Sequence, residues 1–140
     1  GNLVRAAVVL VRSSRSVGSR GNRRSTIFTR SNLIHHYAGG TITTRCVGNN
    51  FHEITLQLFR NCWGDPFQGQ TLHFSNDCGV EFTNTGLQPV SVVGASSICP
   101  AELPNTTCNG GSLLGYELNT YKTTEYLSPC TGWRINWYIC

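Results

Sequence analysis

CVGNNFHEITLQLFRNCWGDPFQGQTLHFSNDC, residues 46–78, is the stretch whose reading decides the fold. Cys46, Cys62 and Cys78 fall sixteen positions apart. Between them lie two runs that alternate apolar and polar residues, Ile54-Thr55-Leu56-Gln57-Leu58 and Thr71-Leu72-His73-Phe74. A period of two puts successive side chains on opposite faces of a strand. His52, Ile54, Leu56 and Leu58 therefore share one face, with Glu53, Thr55 and Gln57 on the other. Leu72 and Phe74 point inward and His73 outward. The cluster Cys62-Trp63-Gly64-Asp65-Pro66 separates the runs with turn residues. The pattern is strand, turn, strand, with cysteines at the strand ends.

The same grammar continues towards the C-terminus. Val80-Glu81-Phe82 and Pro89–Val93 are strand candidates joined by Asn84-Thr85-Gly86. Residues 100–112 form a Pro- and Gly-containing loop, and residues 113–118 and 123–127 give two more strands. Trp133, Ile135, Trp137 and Ile139 share one face of the last strand, opposite Arg134, Asn136, Tyr138 and Cys140. Upstream, Gly39-Gly40 reads as a turn beside Thr41-Ile42-Thr43, after the short apolar pieces Thr26-Ile27-Phe28 and Leu33-Ile34. About eight short strands with frequent turn signals predict an all-β, disulfide-rich antiparallel sandwich or barrel.

Composition supports this class. Only 13% of residues are charged, about half the usual share. Ser, Thr, Asn and Gly supply the polarity instead, which suits strands and turns better than solvated helices. Seven cysteines (Cys46, Cys62, Cys78, Cys99, Cys108, Cys130 and Cys140) contain no CxxC pair and no zinc-site spacing. They read as disulfides formed in an oxidising compartment, hence a secreted, extracellular protein. Six can pair internally, leaving one unpaired or bonded to another chain, and spacing alone does not assign partners. The sequon Asn105-Thr106-Thr107 fits secretion and places a candidate glycan at Asn105.

Charge divides the chain in two. Residues 1–45 hold eight arginines and no acid, whereas residues 46–140 hold seven acids against Arg60, Lys122 and Arg134, a split of +8 against −4. Within the basic part, residues 13–25 are SSRSVGSRGNRRS, which cannot build a core. The boundaries follow: residues 1–25 are an extended basic N-terminal arm and linker, and residues 26–140 the disulfide-bonded β domain. The arm carries a β-branched run, Leu3, Val4, Val8, Val9, Leu10, Val11 and Arg12. That run is too short for a bilayer span, which needs about 20 apolar residues.

No motif for nucleotide binding, zinc hydrolysis, a serine nucleophile or calcium is present. No cofactor is implied, and the chain does not read as an enzyme. Adjacent His35 and His36 would diverge on a strand rather than chelate one metal. Three functions remain open. The first is a structural subunit that self-assembles into an extracellular filament or matrix. Its arm strand completes a neighbour's sheet by β-augmentation, its arginines meet the acidic body of the next copy, and a leftover cysteine locks the joint. The second is a lectin-like, carbohydrate-binding module using Trp63, Asp65, Phe67 and Gln68, a loop that mixes aromatic and hydrogen-bonding groups. The third is a small secreted hydrolase using His52, His73 and an arginine. The expected partners are further copies of the chain, and glycans or an anionic polysaccharide. Nucleic acid is disfavoured by the cysteine framework and the sparse aromatic interleaving of the arginines.

Overall fold

A computed structural model of the chain describes residues 5–6 and 37–138. Its strands are β1 (Arg5–Ala6), β2 (Tyr37–Gly48), β3 (Phe51–Asn61), β4 (Gln70–Ser75), β5 (Glu81–Leu87), β6 (Pro89–Gly94), β7 (Tyr116–Tyr126) and β8 (Arg134–Trp137). Two short 3-10 turns, Pro100–Asn105 and Thr107–Asn109, lie between β6 and β7. The strands form two four-stranded sheets, ordered β1-β8-β4-β5 and β2-β3-β7-β6. All pairings are antiparallel except β1 with β8, which run parallel.

The alternation in residues 46–78 places the core as expected. Ile54, Leu56 and Leu58 of β3 are fully buried, as are Leu72 and Phe74 of β4. They meet Ile42, Tyr121, Leu127, Trp133, Ile135 and Trp137 in one cluster drawn from both sheets. Each buried tryptophan takes roughly 150–250 Å² out of water, so Trp133 and Trp137 are the largest apolar anchors. Ile139, expected on their face, lies outside the described residues.

Several boundaries differ from the sequence expectation, for local reasons. Gly39 and Gly40 do not turn the chain but lie inside β2, where Gly40 faces Leu58. A Cβ on Gly40 would come within 2.8 Å of the Leu58 side chain, so this glycine serves close strand packing. The β2–β3 reversal falls instead at Asn49 and Asn50, with φ of 51° and 62°. Both values lie in the left-handed region that asparagine tolerates, as a two-residue hairpin requires. Asn84-Thr85-Gly86 is not a turn but part of β5, which Gln88 alone separates from β6. The two strands expected across 113–127 are one continuous β7, because its full length pairs with β3.

Two disulfides close the frame. Cys62–Cys108 ties the end of β3 to the second 3-10 turn, and Cys78–Cys130 ties the β4–β5 turn to the loop before β8. Their sequence separations are 46 and 52 residues. In the chain-entropy picture, loops of that size each correspond to about 4 kcal/mol of stabilisation. Beside the second bridge, the Asn76 side chain accepts hydrogen bonds from the amides of Cys78 (3.0 Å) and Val80 (2.9 Å). Arg134 pairs with Asp77 at 2.8 Å. Gly132, at φ 69°, passes so close that a Cβ would sit 1.8 Å from the Asp77 carboxylate.

Of the three internal pairs that the cysteine count allows, two are present among the described residues. Cys46 and Cys99 are exposed and unbonded. Cys140 lies outside the described residues, as do His35, His36 and all of the basic arm except Arg5–Ala6. The assembly-arm residues Leu3, Val4, Val8, Val9, Leu10, Val11 and Arg12 therefore lie outside them too.

Candidate functional site

The arm strand meets the domain at β8. Arg5 pairs with Arg134 and Ala6 with Ile135, so β1 adds a parallel strand to the side of β8 that β4 leaves open. β8 lies in the core sheet because Ile135 and Trp137 alternate inward, and that anchoring holds its outer hydrogen-bonding edge in place for a further strand. In the second sheet β6 forms one edge, with Val90, Val92 and Val93 exposed.

The loop after β3 is built on a buried ion pair. Arg60 continues the inward series of Ile54, Leu56 and Leu58 and faces Glu117 across the β3–β7 pair. Its Nη2 lies 2.6 Å from Glu117 Oε1, and its Nε donates to the same oxygen at 2.7 Å. Nη1 donates to the Gly64 carbonyl, which fixes the turn. The Trp63 amide donates to Asn61 Oδ1 at 3.0 Å, closing the turn from the other side. Trp63 itself is 67% exposed, and Asp65 and Gln68 are exposed beside it. Phe67 corrects the expected sugar-contact set. It is buried and stacked on Tyr37 with ring centroids 4.3 Å apart, because an apolar ring flanked by the core strands gains more inside than out.

Next to the Arg60 pair, Trp137 donates to Gln70 Oε1 at 2.8 Å inside the core. Tyr121 lies in the same interior, and burial pushes its phenol up to about 12, with neighbouring Tyr37 adding to the rise and Gln70 opposing it. It is an uncharged phenol at neutral pH. Asn119 Nδ2, also buried, has no hydrogen-bond partner among the described residues.

The outward face of β4, β5 and β8 carries a shallow cleft of about 360 Å³ lined by His73, Ser75, Glu81, Thr83, Asn136 and Tyr138. Cross-strand register makes it: His73 faces Thr83 on one side and Asn136 on the other, and Ser75 faces Glu81. The His73 and Tyr138 rings meet edge to face at 4.9 Å. Outward placement of His73 follows from the alternation in β4. The partners follow only from the strand order, which no local pattern reveals.

The two candidate hydrolase histidines are not brought together. His52 sits on the core-facing side of β3, level with Cys46 and Glu125 in the neighbouring strands, and its Nδ1 lies 3.2 Å from the Asn50 carbonyl. His73 is on the outward face of the other sheet, so the thickness of a sheet layer, about 10 Å, separates them. The one Cys, His or acid cluster close enough for a metal among the described residues is Cys62, Cys108 and Glu117, and its two sulfurs are already bonded to each other.

Asn105 is exposed at the end of the first 3-10 turn, and its Nδ2 donates to Glu102 at 2.9 Å. No helix among the described residues is long and apolar enough to cross a membrane. Comparison with protein-family models, with curated proteins and with solved structures finds no match to this chain.

Proposed function

We propose that this protein is a secreted structural subunit whose copies join into an extracellular filament or matrix by exchanging their N-terminal arms. The observation that carries the reading is the parallel pairing of Arg5–Ala6 with β8. A contact between two segments of one chain can be made equally between two chains when the connection is long enough, which is the logic of domain swapping. Residues 7–36 connect β1 to β2. At full extension they reach about 100 Å, several times the dimension of a domain of this size. A strand supplied in this way binds through main-chain hydrogen bonds. The contact is heterologous: the arm of one copy meets β8 of the next, so each copy keeps one free arm and one free acceptor, and the series extends.

Charge supports the same direction. Arginine-rich residues 1–45 oppose an acidic body. Glu81, in the cleft of the sheet that β1 joins, forms no ion pair with any described residue. Such complementarity speeds and orients association more than it strengthens it. Two disulfides fit an oxidising compartment, and the two four-stranded sheets around one core suit a small, stiff β-sandwich as the body.

The test is deletion of residues 1–25, read by size-exclusion chromatography in reductant and by negative-stain microscopy. Arm exchange gives extended assemblies from the full chain and monomers from the truncated one. Polymers of unchanged length from the truncated chain would remove the arm as the connector.

A second reading, a carbohydrate-binding module, rests on the exposure of Trp63 with Asp65 and Gln68 beside it. An exposed indole next to a carboxylate and an amide is the composition of a shallow sugar site.

A further inference from the structure

The cleft on the outward face of β8, β4 and β5 gathers polar side chains that the fold itself does not use. β4 is its middle strand. His73 has Asn136 on one side and Thr83 on the other, and Ser75 has Arg134 and Glu81. Tyr138 follows Asn136 by two residues and lines the same cleft. Around it, polar groups are spent on one another: Arg134 pairs with Asp77, and on the inner face of β5 Asn84 donates to Thr123 and Glu125. The side chains of Ser75, Glu81, Thr83 and Asn136, in contrast, form no hydrogen bond or ion pair with any described residue. Among the described residues, the ring contact of His73 and Tyr138 is with each other.

We infer that this cleft binds a neutral saccharide. The hydroxyls of Ser75, Thr83 and Tyr138 and the amide of Asn136 each donate and accept, neutral His73 offers one donor and one acceptor, and Glu81 only accepts. A ligand that answers all of them carries several closely spaced groups that themselves donate and accept, as the hydroxyls of a sugar do. Neighbouring hydroxyls can donate to the Glu81 carboxylate, and such charge-assisted bonds are about twice as strong as neutral ones. Tyr138 is 38% exposed and supplies the aromatic surface on which the apolar C–H face of a sugar ring packs. The volume, about 360 Å³, is at the small end of the range of about 300–1,000 Å³ for ligand sites and suits a short segment of an oligosaccharide.

Other ligand classes leave these groups unanswered. An anion meets the Glu81 charge, with Arg134 in the adjoining row already held by Asp77. A simple cation answers Glu81 alone. A hydrocarbon strips water from the polar side chains and returns no hydrogen bond. The site is separate from the Trp63 loop, which follows β3 in the other sheet. It does not depend on arm exchange either, because β1 adds in the plane of the sheet beyond β8 whereas the cleft lies on the face of that sheet.

The test probes the full chain against an array of neutral oligosaccharides of glucose, galactose, mannose and N-acetylglucosamine, with sialylated and sulfated oligosaccharides alongside. Saturable binding to at least one neutral oligosaccharide, and to none of the anionic ones, is expected. The best array ligand is then titrated by calorimetry. Glu81→Gln should weaken it about tenfold, as loss of a charge-assisted hydrogen bond does. Tyr138→Ala should also weaken it about tenfold through lost stacking, whereas Tyr138→Phe, which keeps the ring, should cost only about threefold. Melting temperatures of these variants should match that of the parent, as for other surface substitutions, so lost binding is distinguished from lost fold. Trp63→Ala should bind as the parent does. Binding to no neutral oligosaccharide, binding to the anionic ones alone, or affinity lost in Trp63→Ala and kept in the Glu81 and Tyr138 variants overturns the assignment. A synthetic peptide of residues 1–25 that binds the parent but not Glu81→Gln would give the cleft to the arm and overturn it equally.

Discussion

Replacing Arg60 by methionine tests how the loop end of the molecule is held. Methionine keeps most of the apolar stem and deletes the guanidinium, which contacts Glu117 through Nε and Nη2 and the Gly64 carbonyl through Nη1. The Arg60 side chain is 8% exposed and that of Glu117 19%. Removing one partner of a buried pair leaves an uncompensated charge and costs about 3–5 kcal/mol. Glu117 retains some contact with water, so the lower end applies, about 3 kcal/mol. With a urea slope of about 1.5 kcal/mol/M, the unfolding midpoint should fall by about 2 M. Glu117→Leu should cost a similar amount, because Arg60 then keeps its charge with only the Gly64 carbonyl to receive it. The double variant Arg60→Met/Glu117→Leu should return to within about 1 kcal/mol of the parent, since an apolar pair often substitutes for a buried ion pair. The assay is equilibrium urea unfolding, followed by tryptophan fluorescence, of all four chains. If the double variant loses the sum of the two single losses, the residues do not act as a coupled pair and the account of this end is wrong.

Three further outcomes follow from particular groups. A phenol whose folded pKa of about 12 exceeds its unfolded value of about 10 lets the unfolded chain ionise first, so stability falls as pH rises between those values. That loss is about 3 kcal/mol, and alkaline urea titrations of Tyr121→Phe should show it missing. Cys78→Ser/Cys130→Ser should lower stability by roughly 2–4 kcal/mol, and a thermal melt that does not move would mean the bridge constrains nothing beyond what the Asp77–Arg134 and Asn76 contacts already hold. Trp63→Ala should leave the melt within about 0.5 kcal/mol because the indole is mostly in water. Its retention on a polysaccharide matrix should drop if the loop binds sugar, and unchanged retention removes that reading.

The sequence alone determined which residues face inward in the central strands. Alternation is a local property of an extended chain, and burial of Ile54, Leu56, Leu58, Leu72, Phe74, Ile135 and Trp137 follows from it. Composition likewise anticipated a β-rich, disulfide-bonded chain, because few helix formers and many cysteines constrain any fold. The charge split between residues 1–45 and the remainder is equally a matter of sequence.

What the tertiary structure decided concerns partners distant along the chain. A period of two says that β8 is a strand but not that β4 and β1 flank it, or that β3 joins β7 across more than fifty residues. Turn residues mislead where a glycine serves packing rather than reversal, as at Gly40. Phe67 stands in a turn-rich run, and only the position of Tyr37 draws it inward. Cysteine pairing depends on distance in space, so spacing in sequence could not separate the bonded Cys62, Cys78, Cys108 and Cys130 from the exposed Cys46 and Cys99. That His73, Ser75, Glu81, Thr83 and Asn136 share one cleft follows from strand register, which long-range hydrogen bonding and core packing fix together.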